Sequence, residues 1–281
     1  MGAILRNLTR AATRIFPDCI TLGQAIAFNM FLAFFPLLLL ALGLLGATSL
    51  FPDALREIPN RLAMILPPGT SRVVAEYFVR RTIHPWRWFS LGLGTTLLAG
   101  MQVMMGFMEG FRLIEGDLLR PGYWARQMRA LALVCLTLVP MLAVVVLTVF
   151  GKQARSWHFF QAGSAHLNRE IAIGCYVAVV FVLAMGVLVL LYRIGRPGHP
   201  GFREVLPGAA VSTVLWWTAD IAFGSYVRRM PYDTVYRGLA SAIGLLLWMF
   251  LTAVIVLVGA AYNAEAREAK MEARSITVLT P

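Results

Sequence analysis

The chain has 281 residues, 59% of them hydrophobic and only 14% charged, with a formal net charge of +11. Soluble domains carry about 25% charged residues, so a soluble enzyme is excluded and an all-α integral membrane protein is expected. The 25 basic residues are spread through every loop rather than gathered on one aromatic-studded face, so anionic lipid head groups, not nucleic acid, are the expected counter-charge.

At the amino terminus, residues 1–20 form a basic amphipathic segment. Arg6, Arg10 and Arg14 recur at i, i+4 and i+8 on one helical face, and Ile4, Leu8, Ala11 and Ile15 lie opposite. That pattern predicts a helix lying on an anionic membrane surface, with the three arginines touching head groups. It lacks the short charged region and apolar core of a cleavable signal.

Six apolar runs follow within a membrane domain over 21–265, at about 25–50, 88–111, 128–150, 170–192, 206–228 and 238–263. Each reaches the roughly 20 residues needed to cross a hydrocarbon core of about 30 Å. Between the first two, residues 51–87 repeat Leu55, Ile58, Leu62 and Ile65 at helical spacing. Two short interfacial helices broken at Pro67-Pro68-Gly69 are expected there. Residues 266–281 read as a cytoplasmic tail.

Six spans place both termini on one side. The segments on that side carry thirteen basic residues, among them Arg112, Arg120, Arg126, Arg129, Arg193, Arg196, Arg203 and Arg267, whereas the opposite short loops carry six. Cytoplasmic termini in a bacterial inner membrane follow from the positive-inside rule. The 51–87 connection adds six arginines to the outer side, interleaved with Asp53, Glu57 and Glu76.

Polar residues inside the spans are the candidate site. Asp220 stands in the apolar run from Val214 to Phe223, where a central Asp costs roughly 2.5–3.5 kcal/mol. It requires a partner or a wet cavity. Gln102, Met105 and Glu109 share a stripe of the second span, expected to face protein, with Glu109 near enough to the cytoplasmic end to reach Arg112 or Arg129. Asn29 and Asn263 are expected inter-helical hydrogen-bond donors. Pro36 and Pro140 lie mid-span, where each removes a backbone hydrogen bond and tends to kink its helix. Gly92, Gly94, Gly100 and Gly106 allow close helix approach.

Metal and cofactor chemistry is not expected. Met101, Met104, Met105 and Met108 read as adaptable core. Cys135 and Cys175 fall inside apolar runs, where cysteine behaves as a small hydrophobe, and three cysteines close no disulfide framework.

The run Leu206-Pro207-Gly208-Ala209, then Leu215-Trp216, Phe223, Tyr226, Tyr236, Leu246-Leu247-Trp248, and finally Gly259-Ala260 with Asn263-Ala264 resembles the carboxy-terminal half of the YihY/BrkB family of bacterial inner-membrane proteins. Ala27-Phe28, Leu32 and Phe35-Pro36-Leu37-Leu38 resemble its first span, and Leu191-Tyr192-Arg193 matches in order. The resemblance covers about residues 20–265. It implies six transmembrane helices, cytoplasmic termini and links to serum resistance and to lipid or envelope homeostasis. The chain departs from the family pattern at Phe28, Ala33, Ala261, Trp217 and Asp220.

An old family label, ribonuclease BN, raises an enzyme reading that the residues do not support. His84, His158, His166 and His199 form no His-x-His-x-Asp-His run, and no carboxylate pair at metal-ligand spacing accompanies them. Two readings remain. In one, the protein is a transporter or lipid-translocating protein with Asp220 and Gln102 in a wet groove. In the other it is a non-transporting scaffold or regulator, with Asp220 packed as a satisfied core group. Oligomeric state is left open; a homo-oligomer fits as well as a monomer.

Overall fold

A computed structural model describes residues 18–47, 85–116, 122–154, 165–196, 198, 200–229 and 237–279. Among them the elements are all helices: α1 (Asp18–Ala47), α2 (Pro85–Glu115), α3 (Tyr123–Ala154), α4 (Ala165–Gly195), α5 (Phe202–Arg229) and α6 (Arg237–Leu279). Five contain a stretch long and apolar enough to cross a membrane: Cys19–Leu40, Ser90–Glu115, Ala178–Gly195, Phe202–Val227 and Ala242–Ala269. The basic stretch with Arg6, Arg10 and Arg14, and residues 51–84, where two interfacial helices are expected, lie outside the described residues.

The helices run longer than the apolar runs that predicted them. α6 continues past Asn263 to Leu279, so much of the expected tail is helical: Glu265, Ala266, Arg267, Glu268 and Ala269 carry no helix breaker, and helix propagation is cheap once nucleated. α2 ends because Gly116 adopts φ +67° and donates its N–H to the Leu113 carbonyl at 3.2 Å. This left-handed cap satisfies an orphan carbonyl at little cost for glycine. It also fixes Glu115 as the last residue of α2. Pro36, Pro140 and Pro207 all lie inside helices.

The chain divides into two compact units, and α2, α5 and α6 contribute residues to both. Within the described residues, the first unit comprises 111–214 and 258–279, and the second comprises 18–110 and 215–257.

In the first unit α3 packs against α4, and Ala130, Leu133 and Val134 of α3 and Val189, Leu191 and Tyr192 of α4 are buried. α5 and α6 approach until Gly208 and Gly259 almost touch. A Cβ on Gly208 would overlap the Gly259 carbonyl and the Asn263 amide, and one on Gly259 would overlap the Ser212 and Tyr192 hydroxyl oxygens. Without hydrophobic drive inside a membrane, backbone contact of this kind supplies the dispersion energy that joins helices.

In the second unit a Cβ on Gly92 of α2 would lie 3.3 Å from the Leu40 nitrogen of α1, and one on Gly106 2.8 Å from Ile26 Cγ1. Gly94 has open space around its Cβ position, so close approach was the right reading for Gly92 and Gly106 but not for Gly94. α5 meets α6 through Trp248, whose ring centroid lies 5.8 Å from Trp216 and 5.3 Å from Phe223. Outward-facing Leu98, Ile221 and Ile243 are more than half exposed, as expected of side chains that lipid tails cover.

Candidate functional site

The first unit holds a buried polar knot. Pro207 has no N–H, so the Arg203 carbonyl one turn back loses its helical donor. Asn263 of α6 binds the same stretch of α5: its Oδ1 accepts the Gly208 N–H at 2.7 Å, and its Nδ2 donates to the Val205 carbonyl at 3.1 Å. A neighbouring helix thereby hydrogen-bonds the backbone beside a proline. Replacing Asn263 with Ala removes both bonds, and we expect a loss of about 1–3 kcal/mol, read as a lower melting temperature of the purified protein in detergent.

Beside it, Tyr192 of α4 and Ser212 of α5 share a hydrogen bond of 2.8 Å, both fully buried. Phe111 of α2 stacks edge-on against Tyr192 at 5.5 Å. One helical turn beyond Tyr192 lies Arg196, 1% exposed. Its guanidinium pairs with Glu115, and Arg267 Nη2 of α6 reaches the same Glu115 oxygen at 2.9 Å. The triad ties the ends of α2 and α4 to α6. Burial pushes the Arg196 guanidinium down from its ordinary range, opposed by the adjacent Glu115 carboxylate and reinforced by Arg267. At neutral pH it remains a cation, as arginine does in proteins. Among the described residues no cluster of His, Cys, Asp or Glu is arranged to hold a metal ion.

The residues predicted from sequence divide between the two units. Asn263 belongs to the knot. Asp220 and Gln102 lie in the second unit and are exposed, while Glu109 and Asn29 there are half-buried. Gln102 therefore does not face protein as its stripe suggested. α2 approaches its neighbours at Gly92, Gly106 and Gly110 and buries Met101, Val103 and Phe107, while Gln102 falls outside that buried set. Asp220 is not a packed core group either. No described residue hydrogen bonds to or pairs with its carboxylate, and it sits seven residues inside the end of the Phe202–Val227 span, about 10 Å at 1.5 Å per residue.

Sequence reasoning missed Glu115, Arg196, Tyr192 and Ser212 as a group. The triad links residues 81 and 152 positions apart, and no local pattern announces such a pairing. Tyr192, Gly208 and Gly259 do stand in the runs that carried the family resemblance, so their recurrence was the available signal.

Comparison with known proteins agrees with that resemblance. The family model described as virulence factor BrkB matches residues 16–277. A UPF0761 membrane protein of Chromobacterium violaceum is 27% identical over 86% of this chain and 57% of its own length. Another from Laribacter hongkongensis is 24% identical over 88% and 57% respectively. A putative ribonuclease-like protein, YfkH, of Bacillus subtilis is 22% identical over 85% of this chain and 86% of its own. The chain thus spans just over half the length of the UPF0761 relatives it matches. No solved structure gives a significant match. With the family model covering the chain from before α1 to the last turns of α6, this chain belongs to the BrkB family of membrane proteins.

Proposed function

We propose that this protein moves lipids across the bacterial inner membrane along the outward face of its second unit. The observation that carries the reading is Asp220, exposed and without a described partner inside an apolar span. A carboxylate facing hydrocarbon costs a few kcal/mol, and that cost falls when a lipid head group or its water travels past. Gln102, exposed near the middle of the Ser90–Glu115 span, offers a second polar foothold on the same unit. A polar track on a lipid-facing helix lowers the barrier for a head group because the acyl tails stay in the bilayer while only the head group changes surroundings.

Orientation supports a membrane-spanning path. Arg126, Arg129, Arg193, Arg196, Arg203 and Arg267 all belong to the first unit, and the positive-inside rule makes their end cytoplasmic, with both chain termini and anionic lipids on that side. Tyr123 and Trp124, 72% and 77% exposed at the start of α3, suit the aromatic belt of a membrane interface. A third crossing by α3 completes six spans. The packed knot of the first unit, with its buried Glu115–Arg196 pair and its Asn263 bonds to α5, supports the second reading, a non-transporting scaffold.

The test is translocation of acyl-labelled fluorescent lipid in proteoliposomes holding the purified protein. We expect exchange between leaflets well above that of empty vesicles, and Asp220→Asn is expected to reduce it by about tenfold or more, the scale of about 1.4 kcal/mol. Rates equal to those of empty vesicles would leave the scaffold.

A further inference from the structure

We infer that the second unit carries a binding site for an ammonium group, formed by Asp220 and an aromatic wall of Trp216, Phe223 and Trp248. The site rests on the reading of this unit as a lipid path and names the head group that the path selects.

Trp216, Asp220 and Phe223 stand at i, i+4 and i+7 on α5, and that spacing places all three on one helical stripe. α6 sets Trp248 against the two aromatic residues of the stripe, with ring planes tilted by 54° to Trp216 and 34° to Phe223. Tyr226 extends the wall, 6.3 Å from Phe223 between centroids. None of the three rings is buried, so part of each remains open to a ligand. A carboxylate that shares a helical stripe with partly open aromatic rings is the chemistry that recognises alkylammonium groups: the ion pair gives strength, and the ring quadrupoles attract the methylene or methyl shell around the nitrogen.

Charge selects the same ligand. The basic residues within the helices of the second unit, Arg87, Arg228, Arg229 and Arg237, stand at helix ends, the two on α5 eight and nine residues beyond Asp220. On α6, the helix that supplies Trp248, no residue from 242 to 257 titrates. An isolated phosphate or a glycerol-type anionic head group is repelled by Asp220, whereas an amine-bearing head group offers its cation to the acid. A metal cation is disfavoured for a different reason. Dehydrating it takes several oxygen ligands, and no described residue adds one to Asp220.

The experiment measures binding to the full-length protein in nanodiscs, separately from translocation. Acyl-labelled phosphatidylethanolamine and phosphatidylglycerol are each titrated and followed by energy transfer from tryptophan. We expect the ethanolamine lipid to bind about tenfold more tightly, and Asp220→Asn to abolish that preference while the melting temperature stays unchanged. Trp248→Phe keeps a ring and is expected to retain most of the preference, whereas Trp248→Leu loses it. Displacement by free ethanolamine supports an ammonium site that also accepts soluble amines, and displacement by the lipid alone supports one that reads lipid head groups. Equal affinity for the two lipids, or a preference untouched by both Asp220→Asn and Trp248→Leu, overturns the assignment. Binding selectivity without leaflet exchange would uphold this site and remove the translocation reading; exchange without selectivity would do the reverse.

Discussion

Glu115→Gln is expected to destabilise the protein by about 3–5 kcal/mol, the cost of leaving a buried cation without its counter-charge. Arg196 is 1% exposed and Glu115 9%, so water does not replace the lost charge. The amide keeps the size and one acceptor oxygen of the carboxylate, which isolates charge from shape. Arg267 shares the carboxylate but is 35% exposed, and Arg267→Ala is expected to cost under about 1 kcal/mol because solvent screens it. The two variants together assign the weight of the triad to one arm. Thermal unfolding in detergent, with a tryptophan readout, measures both. A third variant separates the pair from its burial: Arg196→Met combined with Glu115→Leu removes both charges and keeps apolar volume. It is expected to recover most of the stability lost by Glu115→Gln, because a buried ion pair and a well-packed apolar pair are close in free energy. A Glu115→Gln loss below about 1 kcal/mol would show that water reaches Arg196 and that the triad is not dry.

The membrane helices were legible because a bilayer imposes a length and a composition that a sequence displays directly. Their ends were less so: Ala266, Arg267 and Glu268 are polar or small and end an apolar run, yet they propagate α6 because nothing in them breaks a helix. Side-chain direction was legible only where two helices declare it. Asn263 reads as a hydrogen-bond donor from any sequence, but its partners, Gly208 and Val205, lie 55 and 58 residues away on α5. For Gln102 the stripe argument failed for a definite reason. Polar residues in a span are assigned inward by cost alone, and the tight faces of α2 are set instead by Gly92 and Gly106 meeting Leu40 and Ile26. Asp220 raised the same question with two answers, a satisfied core group or a wet cavity, and its exposure argues against the first. Trp216, Asp220 and Phe223 shared a stripe in the sequence all along. Trp248 completes the wall only through the packing of α6, which the sequence does not display.

Gly259→Ala is expected to cost about 3 kcal/mol or more, the upper part of the overpacking range, although it adds one methyl group and improves helix propensity. The new Cβ would overlap the hydroxyl oxygens of Ser212 and Tyr192 and stand 2.7 Å from the Gly208 carbonyl oxygen. A hydroxyl can rotate its hydrogen but its oxygen is fixed by the rotamer, and the Gly208 carbonyl belongs to a helix backbone. Relief therefore requires α5 to draw away from α6. That movement does not stop at residue 259, because Asn263 stands one turn along the same face of α6, and its bonds of 2.7 and 3.1 Å to Gly208 and Val205 lengthen with it. Steric and hydrogen-bonding losses are thus coupled, so Gly259→Ala and Asn263→Ala are expected to be less than additive in the double variant, as residues sharing one contact are. Gly94→Ala provides the contrast: with nothing within 4 Å of its Cβ position, the same substitution is expected to be neutral or to stabilise by up to about 1 kcal/mol through helix propensity. Additive losses at Gly259 and Asn263 would mean that α5 and α6 are held apart from one another by other contacts, and the knot would then be two independent hydrogen-bonded sites instead of one joint.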